Sequence, residues 1–101
     1  MFGIRLRQAR ERMGISQEAL ATGAGIDEFS ASARISQYET GKHAPRYEIA
    51  CKLAEVLSIS VSFLYANDEA TAQMLLAWQG ASKVAREQAL RTLGDKAPSR
   101  K

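Results

Sequence analysis

The sequence predicts an all-α protein, and three observations predict it. Apolar residues recur three or four positions apart along most of the chain, which is the spacing of one helical face. Ser16 and Ser60 stand just ahead of such runs, where a hydroxyl can cap the free N–H groups of an opening turn. Gly14, Gly23, Gly41 and Gly80 stand at or near their ends, where a helix exit favours glycine.

The first helix is expected over Ile4 to Met13, with Ile4, Ala9 and Met13 inward, Arg5, Arg7 and Arg12 largely solvated, and Gly14 as its stop. Ser16 caps the second, which runs through Gln17, Glu18, Ala19, Leu20 and Ala21. Leu20 faces inward, Ala21 is small enough for another helix to cross closely, and Gly23 and Gly25 end the segment before Ile26 returns to the core. A third helix includes Arg34, Ile35, Ser36, Gln37, Tyr38 and Glu39. Ile35 and Tyr38 share its buried face, Arg34, Ser36 and Gln37 turn outward, and Gly41 closes it.

Pro45 suits the first turn of the fourth helix, where a missing N–H costs nothing. That helix spans Arg46 to Leu57 and carries Ile49, Leu53 and Leu57 at helical spacing. Ser60 caps a short fifth that returns Val61, Phe63 and Leu64 to the core. Beyond Asn67 two amphipathic helices are expected on either side of Gly80. Glu69 to Gln79 has Met74, Leu75 and Trp78 on one side, and Ser82 to Leu93 has Val84, Leu90 and Leu93.

Composition bounds the function. A chain of 101 residues with 46% hydrophobic content forms one small domain whose thin core gains from an added helix or a second subunit. Fourteen Lys+Arg against 11 Asp+Glu give a net charge of +3, which permits nucleic-acid binding if the basic residues gather on one face. No run reaches the roughly 18 apolar residues of a membrane span, and MFGIRLRQARER has no apolar secretory core, so a cytoplasmic protein without membrane contact is expected. The single Cys51 reads as a small core residue. One histidine, no metal-ligand cluster, no nucleophile elbow and no phosphate loop give no basis for an enzyme, a cofactor or a metal site.

Three segments taken together, RLRQARERMGISQEALATGAGI, ISQYETGKHAP and KLAEVLSISVSFLY, resemble the Cro and phage-repressor (Xre) type of helix-turn-helix family from Ile4 to Tyr65. The order and spacing of these segments carry the resemblance. It implies a lambda-repressor-like five-helix DNA-binding domain over 1–67, followed here by a helical hairpin over 68–94 and a flexible tail over 95–101. It also implies a sequence-specific transcriptional regulator, expected as a repressor on a partly palindromic operator. Family position assigns base reading to Ser32, Ala33 and Gln37 with Arg34 beside them, because Gln pairs with adenine, Arg with guanine, and Ala can touch a thymine methyl. It assigns phosphate contact to Gln17 at a helix N-terminus, and to Lys42 and His43 in the loop after the recognition helix. Arg10 and Glu39 are implied as an ion pair that orients the reading surface without touching bases.

Two departures from the family pattern stand out. IDEFSASA between Gly25 and Arg34 is longer than usual by about one helical turn. Either Asp27 caps a short extra turn and the recognition helix restarts near Ser30 or Ser32, or Asp27 caps one longer helix. Phe29 is expected to pack near Ile26 and Ile35 and anchor the insertion. The second departure is Ser58, where the family usually has glycine, which implies a strained turn.

The C-terminal apolar residues Met74, Leu75, Trp78, Leu90 and Leu93 exceed what a small domain needs for its core. The stripe on the first of the two helices is either ordinary core packing back on the DNA-binding domain or a homodimer contact. The second is the reading preferred, since two-fold regulators must join two subunits. The alternative is a protein-interaction module, such as an antitoxin-like partner that holds another protein in the hairpin.

Overall fold

The computed structural model describes residues 1–94, apart from the side chain of Glu28; the tail expected over 95–101 lies outside the described residues. Within them the chain forms seven α-helices and no strand. These are α1 (Phe2–Met13), α2 (Gln17–Gly23), α3 (Ala31–Glu39), α4 (Tyr47–Val56), α5 (Val61–Leu64), α6 (Glu69–Gln79) and α7 (Lys83–Leu93), with a 3-10 turn at Glu28–Ser30 ahead of α3. The first five surround one core, and α6 and α7 form the hairpin.

The caps act as their residue types require. Ser16 Oγ accepts the Ala19 N–H at 3.0 Å and Ser60 Oγ accepts the Ser62 N–H at 3.1 Å. Asp68 and Ser82 open α6 and α7 in the same way, accepting from Thr71 and Ala85. Bonding to Thr71 holds the Asp68 carboxyl below its ordinary pKa. Gly14 ends α1 at a φ of 75°, a left-handed geometry that a side chain would resist. Arg46 is the N-cap of α4, so Pro45 lies just outside that helix, before its first turn.

Leu6, Leu20, Ile35, Leu53 and Leu64 are completely buried where α1 to α5 meet. Each such side chain stabilises the fold by roughly 1.5–3 kcal/mol relative to exposure. Ala21 and Ala31 are the small residues that let α2 and α3 approach closely, both nearly inaccessible. Cys51 is half-buried at the core's edge instead of inside it.

The inward face of α1 differs from the sequence expectation. Ile4 and Met13 are 54% and 45% exposed, whereas Arg5 is 1% exposed. The helix begins at Phe2, and Phe2, Leu6 and Ala9 form its apolar side. Arg5 is buried where α1 meets the turn between α5 and α6. Its Nε donates to the Ala66 carbonyl at 3.2 Å, and its Nη1 donates to Gln8 Oε1 at 3.0 Å and Glu69 Oε1 at 2.8 Å. These acceptors compensate a charge whose burial would otherwise be costly. The same contact lowers the Glu69 pKa, with Gln73 and Gln8 adding to it.

The insertion takes the first of its two expected forms, but Phe29 does not anchor it. Asp27 Oδ1 accepts the Phe29 N–H at 3.2 Å, one 3-10 turn follows, and α3 restarts with Ser30 as its N-cap. The position facing the core is Ala31, 1% exposed, while Phe29 is 99% exposed. Where α2 and α3 cross this closely a methyl group fills the space and a phenyl ring has no room.

The hairpin continues the core on one side only. Ala72 is fully buried, and Leu75 and Leu76 pack partly against the same cluster, so α6 shares the core across the sequence boundary at Asn67. By contrast α7 contains no buried residue. Ser58 has a φ of 55°, as expected of a strained turn. The Gln79 amide at the end of α6 clamps that turn, donating to the Ser58 carbonyl at 2.6 Å and accepting the Ser60 N–H at 3.0 Å.

Gly3 marks the closest approach of α1 to the end of α3, since a Cβ there would lie 2.5 Å from the Tyr38 carbonyl oxygen and nearer still to that of Glu39. Gly3→Ala should therefore destabilise the protein by about 1–3 kcal/mol through overpacking against backbone. Gly80→Ala, where the nearest outside atom is 4.0 Å away, should not destabilise it comparably. Urea unfolding midpoints of the two variants check the contrast.

Candidate nucleic-acid interface

The exposed side of α3 is defined by what its other side buries. Ala31, Ile35 and Tyr38 form the inward stripe. Ser32, Ala33 and Arg34 are exposed and Gln37 is half-buried on the outer surface, so the four positions expected to meet bases do lie on one accessible side. α2 crosses behind α3, held by Leu20 and Ala21.

A hydrogen-bonded network fixes this pair of helices to α1. Arg10 Nε donates to Glu39 Oε2 at 2.5 Å, and Arg10 Nη2 donates to Glu39 Oε1 at 3.1 Å, a two-pronged contact. Arg10 Nη1 also donates to the Ile15 carbonyl at 3.0 Å, reaching the loop between α1 and α2. The side chains of Arg10 and Glu39 are 14% and 4% exposed. Hydrogen bonding to Glu39 raises the Arg10 pKa despite the opposing effect of burial.

Gln17 joins the same network. Its Nε2 donates to Glu39 Oε1 at 3.1 Å, and its Oε1 accepts the Ser32 hydroxyl at 3.3 Å. The side chain expected to meet phosphate is thus oriented between the end and the beginning of α3. One amide N–H remains available to an outside acceptor, since an amide nitrogen carries two.

The loop after α3 is shaped by Gly41 at a φ of 81°, after which the Lys42 and His43 N–H groups both donate to the Gln37 carbonyl, at 2.9 Å and 3.2 Å. Their side chains are exposed beside α3. Arg34, Gln37, Tyr38, His43, Ala44, Pro45 and Arg46 line a polar groove of about 420 Å³ between α3 and the start of α4. Arg46 was not singled out by sequence. A basic residue directly after Pro45 was the available signal, and its cap position at α4 brings it beside Arg34. Basic residues therefore gather at this end of the molecule, which a modest net charge alone could not indicate.

On the far side, Met74, Leu75, Trp78, Leu90 and Leu93 all line one apolar cleft of about 530 Å³ between α6 and α7. Arg86 bridges its closed end: its Nε donates to the Trp78 carbonyl at 2.9 Å, its Nη2 to that of Gln79 at 3.1 Å, and its guanidinium lies 5.4 Å from the Trp78 ring centroid. Among the described residues no helix is long and apolar enough to cross a membrane.

Comparison with known proteins agrees with this geometry. Residues 6–64 match the helix-turn-helix family model. A prophage-derived uncharacterized HTH-type transcriptional regulator of Bacillus subtilis (strain 168), YonR, is 36% identical over 64 residues, or 63% of this chain and 56% of that protein. The chain thus spans little more than half the length of that relative. The crystal structure of the transcriptional regulator BswR is similar over 92% of both chains, with a TM-score of 0.85 and 36% identity. That likeness includes the hairpin as well as the five-helix part.

The buried network yields a quantitative expectation. Glu39→Ala leaves the Arg10 guanidinium without its partner and should cost about 3–5 kcal/mol, whereas replacing both residues together, Arg10→Met with Glu39→Leu, should cost much less. A double-mutant cycle of unfolding free energies measures the difference.

Proposed function

The chain belongs to the helix-turn-helix family, and on that premise we propose that it is a sequence-specific transcriptional repressor which binds a partly palindromic operator as a homodimer. The observation that carries the reading is the outer side of α3, where Ser32, Ala33, Arg34 and Gln37 are accessible beside a groove holding Arg34, His43 and Arg46. Set into the major groove, Gln37 offers an amide for adenine and Arg34 a guanidinium for guanine. Gln17, Lys42 and His43 contact phosphates and set register without choosing sequence. Repression follows from occupancy of the operator and needs no catalytic group or cofactor.

A second copy of the chain covers the apolar cleft. An 11-residue helix such as α7, with no buried residue of its own, is marginal in water without a packing partner. Leu90 and Leu93, 55% and 73% exposed, are the residues that such a partner would cover. Residues 1–67 then act as the DNA-binding unit and 68–94 as the joining element, with α6 belonging structurally to both. A solution mass of one chain would instead assign the cleft to a different protein.

Selection from a random duplex pool tests the function directly. The expected consensus has two related half-sites with centres about one helical turn, roughly 10 base pairs, apart. Gln37→Ala should cost about 1–3 kcal/mol on the preferred site and relax selection at one base position, while Gln17→Ala weakens all sequences alike. Unchanged base preference in the Gln37→Ala protein would displace the recognition register.

The assembly has its own test, because Leu90 is exposed enough to substitute without emptying a core. Leu90→Glu should shift the molar mass in solution from dimer to monomer. It should also weaken binding to the full operator far more than to a single half-site.

A further inference from the structure

The ring of Phe29 is 99% exposed, more than any other large apolar residue among those described. Among the described residues nothing packs over it, yet its backbone is held by hydrogen bonds. Asp27 Oδ1 accepts the Phe29 N–H, the Ser30 N–H donates to the Asp27 carbonyl at 3.1 Å, and the 3-10 turn leads directly into α3. An aromatic ring that contributes no packing, carried on a hydrogen-bonded turn, invites a role outside the fold.

Its place along the helix says where that role lies. Phe29 lies in the 3-10 turn that runs into α3, three and four residues ahead of Ser32 and Ala33. The buried stripe of Ala31, Ile35 and Tyr38 lies opposite. Phe29 is therefore an exposed ring at the N-terminal end of α3, the end that enters the major groove in this mode of docking. The ring has no hydrogen-bonding group for a base edge, and Asp27 next to it disfavours approach to phosphate. The apolar feature that the groove offers is the C5 methyl of thymine.

We propose that Phe29 is a specificity-determining residue that meets a thymine methyl group, forming with Ala33 an apolar patch on the reading side. The assignment rests on the DNA-reading function proposed above. It gives the inserted segment a purpose, since without the extra turn no residue would project at this point ahead of α3.

Replacing each thymine of the selected operator in turn by deoxyuridine removes one methyl group and leaves the base-pairing edge intact. Wild-type protein should bind about fourfold more weakly at one such position, the value of one buried methyl-sized group. Phe29→Ala should bind the thymine duplex with a similar loss, should be insensitive to uridine at that position, and should keep the wild-type melting temperature. Equal losses for Phe29→Ala on the thymine and uridine duplexes, or unchanged affinity and preference, would overturn the assignment while leaving operator binding in place. If the wild-type protein selects no duplex at all, the DNA-reading function fails and this inference falls with it.

Discussion

Much of the geometry around α3 depends on one carboxylate. Glu39, at the end of α3, is almost wholly removed from solvent and accepts hydrogen bonds from Arg10 on α1 and Gln17 on α2. Three helices that meet only through apolar contacts could slide by fractions of an ångström at little cost. Directional bonds to a desolvated carboxylate resist that motion, because misalignment would strand charge in a poorly solvated place. Gln17 extends the constraint to Ser32 at the opposite end of α3. The accessible side of the helix is thereby fixed in orientation, as the proposed match to a rigid duplex would require.

A second constraint sits where the five-helix part joins the hairpin. Ser58 occupies a left-handed conformation that costs a non-glycine residue about 1–2 kcal/mol. The Gln79 amide from α6 bonds to both sides of that turn, and Arg5 from α1 reaches Glu69 at the other end of the same helix. The hairpin's first helix is thus attached at both ends, with Ala72 buried between. A thin core gains apolar contact from α6, and one ion pair links the start of that helix to α1.

What was legible in the sequence was mostly local chemistry. The serine caps, the glycine stop after α1 and the two hairpin helices could be placed from single residues and their spacing, because the forces involved act within one turn. Ser58 was legible as strain only because a family pattern said what normally stands there. Arg5 and Ile4 were misplaced on α1 for a different reason: the acceptors that let Arg5 be buried lie at Ala66 and Glu69, more than 60 positions later in the chain. An arginine is buried there only because Ala66, Gln8 and Glu69 supply acceptors. No local pattern encodes that arrangement.

Phe29 shows the limit of assigning burial by residue type. The rule that large apolar residues go inside is statistical, and it fails where the backbone decides first. Once Gly25 releases α2 and Asp27 starts a 3-10 turn, the next residue to face the core is Ala31, which fits the tight crossing of α2 and α3. A phenyl ring at position 29 then points away from the core whatever its hydrophobicity. Exposure on this scale disfavours folding and solubility slightly, yet the turn that imposes it is fixed by its own hydrogen bonds. A residue whose sequence-level preference is overridden by a well-formed backbone is the kind of exception expected at a binding surface. Here the exception lies in the turn that leads directly into α3, the helix proposed to read DNA.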